Sequence, residues 1–115
     1  MKPPVEAPTS TTILPALRSV LGEDAEVVVL VKPQFEVGRF QVGRGGIVRD
    51  PALHLQSLRD VAACAQRLGY AVRGACPSPV PGAEGNREFF LHLVPGGEAL
   101  APAELESRLG KVASP

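Results

Sequence analysis

Apolar and polar positions alternate along the chain in two different periods, and the switches between them mark the elements. Ile13, Leu14, Leu17, Val20 and Leu21 recur at helical spacing behind Ser10-Thr11-Thr12, which supplies capping hydroxyls. This predicts a short amphipathic helix with Pro15 in its first turn and Gly22 as its stop. Val27 to Val31 is an unbroken apolar run, followed at once by Lys32 and Pro33. Such a run predicts a strand over about residues 26–32 that is buried on both faces. Asp50-Pro51 then reads as a helix start, with Leu55, Leu58, Val61, Ala62, Ala65 and Leu68 as one stripe and Gly69 as its end. Tyr70 to Cys76 predicts a second strand, Tyr70, Val72 and Gly74 alternating against Ala71, Arg73 and Ala75. Pro77-Ser78-Pro79-Val80-Pro81-Gly82 stops it, and Gly85-Asn86 turns into a last strand from Glu88 to Val94. Pro102 to Val112 predicts a terminal helix anchored by Leu105 and Leu109.

Strands that alternate with helices argue for an α/β sandwich with a partly parallel sheet. The last two strands are joined by too few residues for a helical crossover, so they are expected to be antiparallel. In open α/β sheets, function sits just past the carboxyl ends of strands, and Lys32 is at that place. Residues 33–50 carry little periodicity. Gly38, Gly43, Gly45 and Gly46 lie there among Arg39, Arg44 and Arg49, and a long aperiodic segment inside a small domain is expected to be functional or mobile.

Length and composition narrow the picture. At 115 residues the chain is large enough for one domain with a core and too short for two. Net charge is zero, so any attraction to nucleic acid must be local, and the Arg39/Arg44/Arg49 segment is where it would be. Cys64 and Cys76 match no zinc or CxxC spacing and read as two reduced small apolar residues. No apolar run approaches the roughly 18–20 residues of a membrane span, and Met1 to Pro8 lacks a signal-peptide core, so a cytoplasmic location is expected. The two histidines suggest no ligand set, and His92 is expected to be a strand-face or core residue.

Three stretches, in this order and spacing, carry a resemblance. They are Leu30-Val31-Lys32-Pro33-Gln34-Phe35-Glu36-Val37-Gly38-Arg39, Val42-Gly43-Arg44-Gly45-Gly46-Ile47-Val48-Arg49-Asp50-Pro51, and Ser78-Pro79-Val80-Pro81-Gly82-Ala83-Glu84-Gly85-Asn86-Arg87-Glu88-Phe89. Together they resemble the TlyA family of ribosomal-RNA 2′-O-methyltransferases, which also carries the name haemolysin and belongs to the wider FtsJ-like group. The resemblance implies an α/β fold: the C-terminal half of a Rossmann-like S-adenosylmethionine-dependent methyltransferase, with a mixed sheet and an antiparallel last strand. Residues 10–95 would form that partial domain, 1–9 a proline-rich tail, and 96–115 a C-terminal tail with a short helix.

The family's catalytic set is Lys-Asp-Lys-Glu. Lys32 matches its second lysine and Glu88 its glutamate, while the first lysine and the aspartate have no counterpart; Glu6-Ala7-Pro8-Thr9-Ser10 stands where the aspartate motif belongs. The family's glycine-rich S-adenosylmethionine loop and its S4-type RNA-binding domain have none either. The implied cofactor is S-adenosylmethionine, the implied partner ribosomal RNA or a ribosomal subunit, and Arg39, Arg44 and Arg49 fit the role of phosphate contacts. Lys32 can serve as base or as positioning group, and the residues leave both open. The family's strand order puts the last strand beside the Lys32 strand, which would bring Lys32 and Glu88 to one rim. The expected function is thus that of a ribose methyltransferase, present as a fragment inactive alone. The alternative is a non-catalytic RNA- or partner-binding remnant. Pore formation finds no segment of suitable length. A bare apolar sheet edge on the Lys32 strand is expected to favour self-association.

Overall fold

The computed structural model describes residues 10–37 and 42–115. The elements run α1 (Ser10–Val20), β1 (Val27–Val31), α2 (Pro33–Glu36), α3 (Pro51–Arg67), β2 (Tyr70–Pro77), β3 (Phe89–Pro95) and α4 (Pro102–Ala113), with 3-10 turns at Arg44–Gly46 and Ala83–Gly85. The strands form one sheet in the order β1-β3-β2, and β3 is antiparallel to both neighbours. β1 and β2 therefore point the same way, two places apart. The antiparallel last strand and the α/β architecture agree with the expectation.

Helices α1, α3 and α4 cover one face of this sheet. Leu14 of α1, Leu58, Val61 and Ala65 of α3, and Leu109 and Ala113 of α4 meet Val29, Val31, Tyr70, Val72, Phe89, Leu91 and Leu93 in one core. The longest helix starts as its sequence dictates. Asp50 accepts a hydrogen bond from the Ala52 amide at 2.9 Å, and Pro51 occupies a position whose N–H would have no helical partner. Its buried stripe is wider than the apolar pattern, because His54 and Ser57 also lie in it.

Three local expectations are corrected. β1 is buried on one face only: Val29 and Val31 point to the helices, while Val28 is 66% and Leu30 36% exposed. An apolar run signals a doubly covered strand only where a second layer exists, and no described helix lies over that side. Strict alternation in β2 is broken between Val72 and Gly74, where the register slips and Arg73 is the extra residue. Tyr70 and Val72 keep the core face, and beyond the bulge Ala75 takes it instead of Gly74, which pairs with His92. Pro15 lies inside α1, not in its first turn. A proline there donates nothing to the carbonyl four residues back, which is Thr11, and the Cys64 thiol approaches that oxygen at 3.7 Å.

Candidate active site

The carboxyl end of β1 is shaped by Pro33. Lys32 keeps an extended backbone and acts as N-cap of the single-turn helix α2, its carbonyl accepting from the amides of Phe35 at 2.9 Å and Glu36 at 3.2 Å. The aperiodic segment thus opens with one ordered turn too short to register as a helical pattern. Glu36 fastens this turn to α1, its carboxylate accepting from the Ser10 amide at 2.7 Å, a favourable place for negative charge at a helix start.

The register between β1 and β3 brings the two predicted residues to one rim. Val31 is paired with Phe89, so one further step along both strands sets Lys32 opposite Glu88. On the other side of β3, the Glu88 carbonyl accepts from the Ser78 amide at 2.8 Å, continuing the ladder to β2. Glu88 is only 6% exposed. Its carboxylate accepts a 2.8 Å hydrogen bond from the Gln34 side-chain amide, whose own oxygen is buried without a partner. Among the described residues no ion pair joins Lys32 to Glu88; the Lys32 ammonium lies 5.7 Å from the centre of the Phe35 ring.

A loop folds over the carboxylate. The Gly82 amide donates to the Asn86 carbonyl and the Gly85 amide to the Gly82 carbonyl, curling residues 82–86 into a tight turn. A Cβ at position 82 would stand 1.9 Å from a Glu88 carboxylate oxygen. Only glycine lets the backbone approach so closely.

Behind the rim, Asn86 fastens the glycine–arginine segment to the last strand. It is 1% exposed. Its side chain accepts from the Val48 amide and donates to the Gly46 carbonyl, both at 2.9 Å. The Val48 carbonyl is bonded to His54 Nε2 at 2.8 Å. A carbonyl only accepts, so Nε2 carries the proton. Arg87, next in the same motif, reaches the other way, donating to the carbonyls of Val112, Ala113 and Ser114 at the end of α4.

The sequence named Lys32 and Glu88, and the fold brings them together. It did not single out Gln34, Gly82, Asn86 or His54, which seat and back the site; each stood inside a quoted motif or a predicted helix, but single-residue patterns give no sign of a cross-chain hydrogen bond. Of the three arginines, Arg39 lies outside the described residues, as does the side chain of Arg44, and Arg49 is exposed. Lys32 and Glu88 stand at one strand end, and a carboxylate held there by the Gln34 amide can orient a hydroxyl and take up its proton.

The model of the FtsJ-like methyltransferase family matches residues 5–94. The chain belongs to that family. It is 54% identical over 82 residues to the 16S/23S rRNA (cytidine-2′-O)-methyltransferase TlyA of Mycobacterium tuberculosis, an alignment covering 71% of this chain and 31% of the relative. It is 45% identical over 93 residues to the Bacillus subtilis protein YqxC, named as an rRNA methyltransferase, covering 81% and 33%. The structure of a hemolysin-named protein from Streptococcus thermophilus superposes with a TM-score of 0.81 at 39% identity, over 91% of this chain and 37% of that one. The chain thus spans about a third of the length of these relatives.

Membership of this family implies S-adenosylmethionine. The glycines that approach other atoms most closely do so within the chain: Gly82 receives Glu88, and Gly43 lies where a Cβ would meet the Ile47 carbonyl at 2.6 Å. Neither of these two close approaches leaves open a cradle that a cofactor would fill. Among them, no helix is long and apolar enough to cross a membrane, and no cluster of His, Cys, Asp and Glu could hold a metal ion.

Proposed function

We propose that this chain serves ribosomal-RNA 2′-O-ribose methylation as the part of a methyltransferase domain that contributes Lys32 and Glu88, and that it is inactive alone. The observation that carries this reading is the shared rim: the ends of β1 and β3 meet, with the Glu88 carboxylate seated by Gln34 and Gly82. The names of the relatives, an rRNA (cytidine-2′-O)-methyltransferase among them, supply the substrate class.

Methyl transfer to a ribose hydroxyl needs that hydroxyl held in line and its proton removed as the new bond forms. Fixing this orientation lowers the barrier by several kcal/mol. Lys32 and Glu88 grip the hydroxyl from two sides of the strand junction, and Gln34 keeps Glu88 from turning away. S-adenosylmethionine would supply the methyl group when bound. Arg39, Arg44 and Arg49 contact RNA phosphates, which makes binding fall steeply with salt.

The test is a methyl-transfer assay on ribosomal RNA with radiolabelled S-adenosylmethionine. The chain alone is expected to be inactive, and activity is expected when the preceding part of a relative's methyltransferase domain is added. That activity should drop by orders of magnitude in Lys32→Ala and Glu88→Gln. Activity of the chain alone contradicts the inactive-fragment reading, and no activity with the added part contradicts the enzymatic one. That the closest glycine approaches are to the chain's own atoms favours a second reading, a non-catalytic RNA- or partner-binding remnant. RNA binding that survives Lys32→Ala, with no calorimetric signal for the cofactor, would select it.

A further inference from the structure

Gln34 and Glu88 form a pair in which only half of the amide is used. The Gln34 Nε2 donates to Glu88 Oε2 at 2.8 Å, while the Gln34 Oε1 is buried and accepts nothing among the described residues. The chain's own atoms bury that oxygen, so its seclusion does not depend on what else surrounds the domain. A buried acceptor without a donor costs stability, and a residue that keeps one calls for a reason.

The other charged or titratable groups on the elements around Glu88 are engaged elsewhere. Lys32 at the end of β1 lies over the Phe35 ring, and Glu36 of α2 accepts from the Ser10 amide. Arg87 donates to the end of α4, His54 of α3 to the Val48 carbonyl, and Glu84 of the 82–86 turn is exposed. Among the described residues, the Gln34 amide is the one group hydrogen-bonded to the nearly buried Glu88 carboxylate.

A carboxylate only accepts hydrogen bonds, whereas a carboxylic acid also donates. A lysine in place of Gln34 would serve the first form alone. An amide serves both, because a half-turn about its last side-chain bond exchanges NH2 for an oxygen of nearly the same size. The oxygen idle beside the carboxylate becomes the acceptor beside the acid. The NH2 group then takes the unpaired place, so each state leaves one end of the amide without a partner.

We propose that Gln34 is a positioning residue that holds Glu88 in both protonation states, donating to the carboxylate before methyl transfer and accepting from the acid after it, so that Glu88 receives the ribose proton. In that step the ribose oxygen bonds to the methyl carbon as the carbon–sulfur bond breaks and leaves its electron pair on sulfur. The hydroxyl proton passes to Glu88, and the sulfonium and carboxylate charges disappear together. Lys32 is left to orient the hydroxyl. The inference rests on the proposed methyl transfer for the source of the proton, whereas the amide exchange is a property of the pair itself.

An acid titration of the isotope-labelled chain, followed by NMR, tests the pair without any assay of activity. The Gln34 side-chain amide protons and carbonyl carbon are expected to shift with the same midpoint as the Glu88 carboxyl carbon, while the β1 and β3 backbone signals stay in place. Glu88→Gln is expected to abolish that transition. Gln34 signals indifferent to the Glu88 transition overturn the proposal, as does a Glu88 that takes up its proton only when the sheet unfolds. Kinetics of the chain joined by the preceding part of a relative's domain supply the second readout. Gln34→Met and Gln34→Lys are both expected to lower kcat about a hundredfold with KM for RNA unchanged. A Gln34→Lys variant as active as wild type shows that Gln34 only fixes the place of Glu88, and a rise in KM with kcat unchanged shows a contact to RNA; either overturns the proposal. An inactive wild-type combination contradicts the proposed methyl transfer, and the titration then decides the amide exchange by itself.

Discussion

At the scale of single residues, the site depends more on how its groups are seated than on which groups they are. Asn86 is the clearest case. Replacing it with alanine strips a buried amide, Val48, and a carbonyl, Gly46, of their partners at once. The buried Val48 amide left unsatisfied costs about 1–3 kcal/mol, while the Gly46 carbonyl, on an exposed glycine, can turn to water, so Asn86→Ala is expected to destabilise the chain by about 1–3 kcal/mol. A lower urea midpoint with an unchanged slope checks this. Lys32 was legible in the sequence because a lysine ending an apolar run stands out, and Glu88 because the motif around it did. Gln34 was not: its bond to Glu88 spans 54 positions and forms only when β1 and β3 pair.

At the scale of elements, capping chemistry was readable and irregularities were not. Asp50-Pro51 announced the start of α3, and Asp50→Ala is expected to cost about 1 kcal/mol, seen as a lower melting temperature. The bulge at Arg73 left no mark, because a single extra residue preserves composition and breaks only the period. α2 stayed hidden because one turn holds too few positions to show a repeat. The contact between α3 and α4 has a pH signature. Arg59 donates to Glu106 at 2.9 Å and, chiefly through that bond, holds its carboxyl below the ordinary range. A depressed carboxyl contributes stability that is complete above its unfolded value and lost as pH falls through its folded one. The pair is exposed, so the effect is small and salt-sensitive. Acid titrations of stability for the wild type and Glu106→Gln are expected to converge at low pH and to separate slightly near neutrality, at low salt only.

At the scale of the whole molecule, the helical layer on one side sets both stability and exposure. Leu109 joins α4 to the core, so Leu109→Ala is expected to cost about 2–5 kcal/mol, a large share of what holds a small domain together. Calorimetry would show it as a lower melting temperature. The antiparallel last strand was legible from the short connection before it, and the meeting of Lys32 and Glu88 only from the strand order that the resemblance implies. The burial of β1 was misjudged for a reason that lies beyond the strand: Val28 and Leu30 are as apolar as Val29 and Val31, and only the layers present decide which pair meets solvent.

The close approach of Gly82 to Glu88 makes these two positions one unit of variation. Alanine at 82 can enter only if the carboxylate retreats, which breaks the bond from Gln34. A shorter acid at 88 would leave the space that alanine needs. Gly82→Ala and Glu88→Asp are therefore expected to be non-additive, the double variant losing less stability than the sum of the singles by about 0.5–3 kcal/mol. Among related sequences, a side chain at the first position is expected to occur only where the second carries something smaller than glutamate.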